Sequence, residues 1–364
     1  MTNPLIGIRL KALRESRDLN QDDIAELLGI RDRQTVSALE KGDRRAKPNE
    51  LAALIDHFGL DDDYFTDPFR LVGEGQFSWR QSGCAPAALN TYRDRAGKWL
   101  ALYRALSSAE DRPGPRERLS LRLSEHSTYE MAAGEGERLT ITCNMGEVPA
   151  RELPRVMEQD FGILVLMVDM DDQMSGAACR LPEMDAVLVN RRENPGRRNF
   201  DLAHEFFHLL TWDTMPPKPV EEAGERSRSS RTEKLADNFA AALLMPRRLL
   251  EKFGQWVHFG VAERAARMRQ VADHFQVSVT ALHWRLVFLG FLTKNAEMLD
   301  VPTPSPKYLQ DRPLAFSRTF LSVVARGIET GRLSAARAVK LLGISREILR
   351  DLLIAHGVPA PVTV

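Results

Sequence analysis

The sequence predicts a mainly α protein with a small β-sheet, an α+β chain of more than one domain. Three observations predict it. The 364 residues suffice for two or three domains with cores of their own. Apolar residues recur at helical spacing through most of the chain. Three short β-rich runs cluster together: "ILVLMVD" at 163–169, "GAACRL" at 176–181 and "DAVLVN" at 185–190. They read as a three-stranded sheet. Charge is balanced, with 50 Lys and Arg against 50 Asp and Glu, so bulk charge does not point to a polyanion partner. No apolar run is long enough to span a bilayer, and the N-terminus lacks a signal-peptide core. Cys84, Cys143 and Cys179 are widely spaced and odd in number, which fits free thiols in a reducing compartment. These features predict a cytoplasmic protein with no membrane contact.

The first sixty residues read as short amphipathic helices. Ile8, Leu10 and Leu13 mark the first. In "LNQDDIAELLGI", residues 19–30, Asn20 fits an N-cap, and Asp22 and Asp23 sit at the positive helix end. Ile24, Ala25, Leu27 and Leu28 face inward, and Gly29 suits the left-handed turn that ends the helix. "RQTVSALEKG", residues 33–42, forms the next helix, and "NELAALIDHFGL", residues 49–60, packs after it. Helix, tight turn, then a polar-faced helix is the helix-turn-helix pattern. Gln34, Thr35, Ser37, Ala38 and Lys41 lie outside on the second helix, where small and amide side chains can read base edges. Arg44, Arg45 and Lys47 can hold phosphate. Residues 1–60 carry ten basic and ten acidic side chains, so the block is not a basic patch.

"NQDDIAELLGIRDRQTVSALEKGDRR" resembles the lambda-repressor-like (Xre-type) DNA-binding domain. The matching positions are Gln21, Ala25 to Gly29, and Ser37 with Glu40-Lys41-Gly42. The turn before Thr35 is one residue longer than the common version. The resemblance implies a five-helix bundle that binds double-stranded DNA as a homodimer, with Gln21, Arg33, Gln34, Thr35, Ser37, Lys41 and Arg44 at the DNA.

Beyond it, residues 61–84 break periodicity with Gly and Pro and read as a linker or crossover. Residues 85–125 read as helical, interrupted by "SSAEDRPGPRERLS", and 150–162 as a further helix. After the strands, "RRENPGRRN" leads into "FDLAHEFFHLLTWD", residues 200–213. Residues 198–212 form a strong helix, with Asn199 or Asp201 as its cap. His204 and His208 are four apart, one above the other on one face, so both imidazoles can ligate one divalent ion. Glu205 is rotated by about 100 degrees, where it can hold a water without competing as a ligand. Two histidines lining a core would give the same pattern; a third ligand separates the readings.

"RTEKLADNFAAALLMP", residues 231–246, is an apolar-faced helix stopped by Pro246, with Glu233 and Asp237 four apart on one face. The preceding loop, "DTMPPKPVEEAGERSRSSR", is polar and Pro/Ser-rich, and reads as a mobile border of a cleft. The two helices resemble those of Glu-zincin metallopeptidases, and more closely the ImmA/IrrE family. Its second motif is matched at Glu233, Ala236, Phe239, Ala240, Leu243, Leu244, Met245 and Pro246. The resemblance implies a zincin-like fold. It implies Zn²⁺ (or Mn²⁺) held by His204, His208 and Glu233, with Asp237 on the far nitrogen of a ligating histidine. Glu205 would be the general base. No residue is assigned to the oxyanion; an edge strand near Ala177 to Arg180 would hold an extended peptide. Family members cleave Xre-type repressors in mobile elements or DNA-damage responses, which implies a repressor-type protein, or the chain itself, as substrate. The alternative is a non-proteolytic regulator whose peptidase-like domain senses a ligand or protein.

The expected division is a helix-turn-helix domain at 1–66, a helical linker region at 67–138, a metallopeptidase domain at 139–295, and a linker with a C-terminal helical element at 296–364. Within these, His258, His274 and His283 read as structural or surface residues. "NAEMLDVPTPSPKYLQDRP" is a Pro-rich connector, and the two tail helices read first as packing or dimerisation elements.

Overall fold

The structure is a computed structural model that describes residues 4–107, 118–222, 230–254, 256, 261–293 and 312–364. His258, most of the interruption after the helix at 86–106, much of the polar loop before residue 230 and nearly all of the Pro-rich connector lie outside the described residues.

The N-terminal bundle has four helices: α1 (Pro4–Ser16), α2 (Gln21–Leu27), α3 (Arg33–Lys41) and α4 (Pro48–Phe58). The Asn20 side chain accepts from the backbone of Asp22 and Asp23, and Asp23 reaches back to close a capping box. Asp32 caps α3 through Thr35 N at 2.9 Å. Leu10, Leu13, Ile24, Val36, Leu39 and Leu54 form the core, closed by Tyr64 and Phe65. Those last two lie in a run of turns over 61–66, which takes the place of the expected fifth helix. Aspartates at 61, 62 and 63 and Pro68 leave no room for helical periodicity there.

The remaining chain runs β1 (Gln76–Gln81), α5 (Pro86–Leu106), α6 (Tyr129–Thr142), α7 (Pro149–Gln159), β2 (Ile163–Val168), β3 (Met174–Arg180), β4 (Asp185–Asn190) and α8 (Pro195–Thr211). It continues through β5 (Val220–Glu222), α9 (Arg231–Leu244), α10 (Arg247–Leu250), α11 (Val261–Phe275) and α12 (Val279–Phe288). The tail is α13 (Arg318–Glu329), α14 (Ala335–Leu342) and α15 (Arg346–Ala355).

The sheet has five strands in the order β2-β4-β3-β1-β5, two more than expected. β2 with β4 and β1 with β5 are parallel; β3 is antiparallel to both its neighbours. This overturns two expectations. Part of the 67–138 region is a strand of the sheet, not a helical linker. And β3 is interior: Ala178 pairs with Ser78 on one side and Val187 on the other, so no peptide can add at Ala177 to Arg180. Gly and Pro flanking "QFSWRQ" masked a strand whose period-two pattern, Phe77 and Trp79 against Ser78 and Arg80, is short but present.

Alternation of side chains sends the two faces of the sheet into different cores. Ile163, Val165, Val187 and Val189 pack against α6 to α9, α11 and α12. Leu164, Leu166, Ala186, Leu188 and Trp79 pack against α5 and α13 to α15. β2 and β4 are covered on both faces, which is why they read as continuous apolar runs. The tail helices are therefore part of the second core. No helix among the described residues is long and apolar enough to cross a membrane.

Candidate metal centre

The centre is built on α8, beneath the sheet. The helix begins a turn earlier than expected: Asn194 is its cap, accepting from Arg197 N at 2.9 Å, and Pro195 occupies the first turn, where no N–H is missed. Asn199 and Asp201 do not cap it. Asn199 donates to Gln276 O, and Asp201 is buried among arginines. From that start α8 carries His204, Glu205 and His208 into the interior, with Leu202, Phe206, Phe207, Leu209 and Leu210 in the core. Ser230 caps α9 through Glu233 N, which puts Glu233 in the first turn and Asp237 one turn on.

The structure brings together His204, His208 and Glu233, with one ligand atom from each inside a span of 4.8 Å. His204 Nε2 lies 3.0 Å from His208 Nε2 and 3.2 Å from Glu233 Oε2. Glu233 Oε1 is 3.4 Å from His208 Nε2. On the other side of its ring, His204 Nδ1 is 3.0 Å from Asp237 Oδ1. Nitrogen and carboxylate donors at this spacing can all reach one divalent ion, whose bonds to such donors are about 2.0–2.2 Å. His204, Glu205 and His208 are buried, and Glu233 and Asp237 are partly exposed, so one side of the cluster opens outward.

Electrostatics divides these groups. Burial and the charge of Arg80 oppose a protonated His204, but its contacts with Asp237 and Glu233 prevail and push it up to about 10. Burial and the positive His204 push His208 down to about 3. Near neutrality the proton therefore belongs to His204 and not to His208. Burial pushes Glu205 up to about 7, against the pull of His204 and Arg80. Its Oε1 is buried and makes no hydrogen bond among the described residues. A carboxyl in that range can both take and return a proton near neutrality. Burial works against an ionised Asp237 too, but the His204 contact holds it below its ordinary value.

Two features escaped the sequence. Arg80, on β1, sends its guanidinium across to α8, 3.4 Å from Asp201. Behind it, Glu193 and Asp201 form a buried acid pair that Arg197 bridges at 3.0 and 3.7 Å. The only signal for Arg80 was the weak alternation of residues 76–81.

The helix-turn-helix residues are placed less uniformly. Arg33, Gln34 and Lys41 are exposed, and Thr35 and Ser37 are half-buried. Gln21 donates to Glu40 at 2.9 Å, and Glu40 is clamped by Arg14 at 2.6 and 3.2 Å, so Gln21 also orients α3. Arg44 is bound on both nitrogens by Glu50, at 2.9 and 2.7 Å. That bidentate pair takes up the fork expected to meet phosphate. Gln21, Ser37 and Lys41 line a cleft of about 680 Å³ whose other wall includes Glu74 and Pro182.

Both parts match known families. Residues 158–287 match the model of the IrrE N-terminal-like domain, a peptidase family, and residues 5–64 match that of a helix-turn-helix domain. No curated protein and no solved structure matches the chain. The first match spans His204, Glu205, His208 and Glu233; the second spans α1 to α4. The chain therefore joins a helix-turn-helix domain to a domain of the IrrE-like peptidase family.

Proposed function

We propose that this chain is a DNA-binding transcriptional regulator whose second domain is a zinc-dependent endopeptidase. Its substrate is a repressor-type regulatory protein or the chain itself, in a stress, DNA-damage or mobile-element response. The observation that carries the reading is the convergence of His204, His208 and Glu233 beside a buried Glu205 with an unbonded oxygen. The donor set fits zinc, with manganese as the alternative: two imidazoles and one carboxylate, open on one side. When bound, such an ion supplies Lewis-acid chemistry, polarising a carbonyl and acidifying water. His204, His208 and Glu233 hold it, and Asp237 fixes the ring of His204 by accepting from Nδ1. Glu205 takes the proton of the attacking water and returns it to the leaving amine. The helix-turn-helix domain binds double-stranded DNA as a homodimer, with exposed Arg33, Gln34 and Lys41 on α3 as its first contacts.

The test compares wild-type and Glu205→Gln protein, both loaded with zinc, in lysate from cells under DNA damage, with new protein N-termini identified by mass spectrometry. Wild type should generate termini that the variant does not. Identical termini, together with normal regulation by the variant, would leave the peptidase-like domain as a sensor of a ligand or protein.

A further inference from the structure

Among the described residues, Arg80 is a half-buried cation that the sheet sends to the α8 face. Trp79 packs into the opposite core, so the next residue of β1 points to the α8 face. Its Nε reaches Asp201 Oδ1 at 3.4 Å, an ion-pair distance without hydrogen-bond geometry. Nε and Nη1 are both buried, and neither donates a hydrogen bond among the described residues. Buried donors of a native protein nearly always have acceptors, and a guanidinium carries five N–H groups.

A purely structural role accounts poorly for this. Asp201 already has Arg197 at 3.7 Å, and the neighbouring Glu193 is held neutral by burial and by Asp201 itself. Asp201 therefore has a second counter-ion besides Arg80, though a more distant and more exposed one. The charge of Arg80 is felt by Asp201 first, and beyond it by Asp237, Glu205 and Glu233 of the centre. Those four acids offset its burial and keep it charged. A cation with buried, unused donors beside the centre is what a developing negative oxygen needs. The planar fork suits an oxyanion better than an ammonium would.

We propose that Arg80 is the oxyanion donor of the centre: its guanidinium donates to the carbonyl oxygen of the peptide bond under attack. The role rests on the peptidase reading. Water adds to the carbonyl carbon and gives its proton to Glu205. The π pair of the carbonyl moves onto the oxygen facing Arg80. As the adduct collapses, that pair re-forms the carbonyl, the C–N bond breaks, and the amine takes the proton from Glu205.

The test uses the full chain loaded with cobalt, whose visible absorption reports on the site, and titrates it with methylphosphonate, a tetrahedral anion. Arg80→Met should weaken methylphosphonate roughly tenfold to hundredfold while cobalt affinity stays as in wild type. Arg80→Lys, which keeps the charge and is the safer fold, should fall between the two. If Arg80 merely neutralises Asp201, then Asp201→Asn combined with Arg80→Met will restore methylphosphonate binding; the proposal expects no restoration. Equal affinities in wild type and both single variants would overturn it, as would rescue by Asp201→Asn. Arg80-dependent anion binding in a wild-type protein that cuts nothing would overturn the peptidase reading instead.

Discussion

At the scale of single residues, the centre is surrounded by charges whose states are set by burial. Glu193 is the clearest case. Burial and the adjacent Asp201 push its carboxyl up to about 8, while Arg197 and Ser175 pull the other way. Below about pH 4.5 this carboxyl is neutral in folded and unfolded chains alike. Above that, the unfolded chain ionises first, so unfolding releases a proton and stability falls with pH until the folded group ionises near 8. Glu193→Gln removes this slope. Urea unfolding at pH 5 and pH 8 should show the variant gaining on wild type as pH rises; a constant difference would contradict the assignment. Residues of this kind were hard to read from sequence, because their partners come from separate elements. His204, Glu205 and His208 were legible because one helix turn brings them together and the spacing itself is the signal. Glu233 and Asp237 needed a resemblance to be paired with them. Arg80 gave almost no signal, since only the sheet carries it to α8.

At the scale of elements, the two helices of the centre are set by caps and by one close approach. Their existence was legible from apolar periodicity. The start of α8 was misplaced by a turn, because two polar side chains inside the helix mimic caps while their partners lie on other elements. α6 lies tight against α9 at Gly136, where a Cβ would stand 2.6 Å from Phe239 O and 3.0 Å from Leu243 N. Backbone cannot yield there as a side-chain tip could. Gly136→Ala should therefore push α6 from α9 and cost about 1–3 kcal/mol, read by urea unfolding. Wild-type stability would mean that the helices separate freely. The strands divide the same way. β2 and β4 were legible as apolar runs, whereas β1, bounded by Gly and short, was read as a linker, and β3 was taken for an edge.

At the scale of the molecule, the DNA-binding bundle is tied to the rest by buried charge. Arg9 of α1 is fully buried; it meets Glu74 at 3.2 Å and donates to the carbonyls of Tyr64, Asp67 and Arg70. Arg104 of α5 approaches the same Glu74 oxygen at 3.6 Å. Arg337 of α14 pairs with Asp67 at 2.8 Å, so the tail helices brace the same segment. Removing one member of such a buried group leaves the others uncompensated. Glu74→Ala should cost about 3–5 kcal/mol, measured by urea unfolding. A loss below about 1 kcal/mol would show the junction to be solvated. None of these long-range pairs could be anticipated from sequence spacing, although the order of helical and β-rich segments did indicate an α+β chain.

All of this turns on whether α8 and α9 hold a divalent ion. Elemental analysis of wild-type and Glu233→Ala protein, purified without chelator, addresses it most directly. The account predicts about one zinc per chain in wild type and its loss in the variant. No bound divalent metal in wild type, even after loading with zinc or manganese, would contradict it and leave α8 as a buried helix with two histidines.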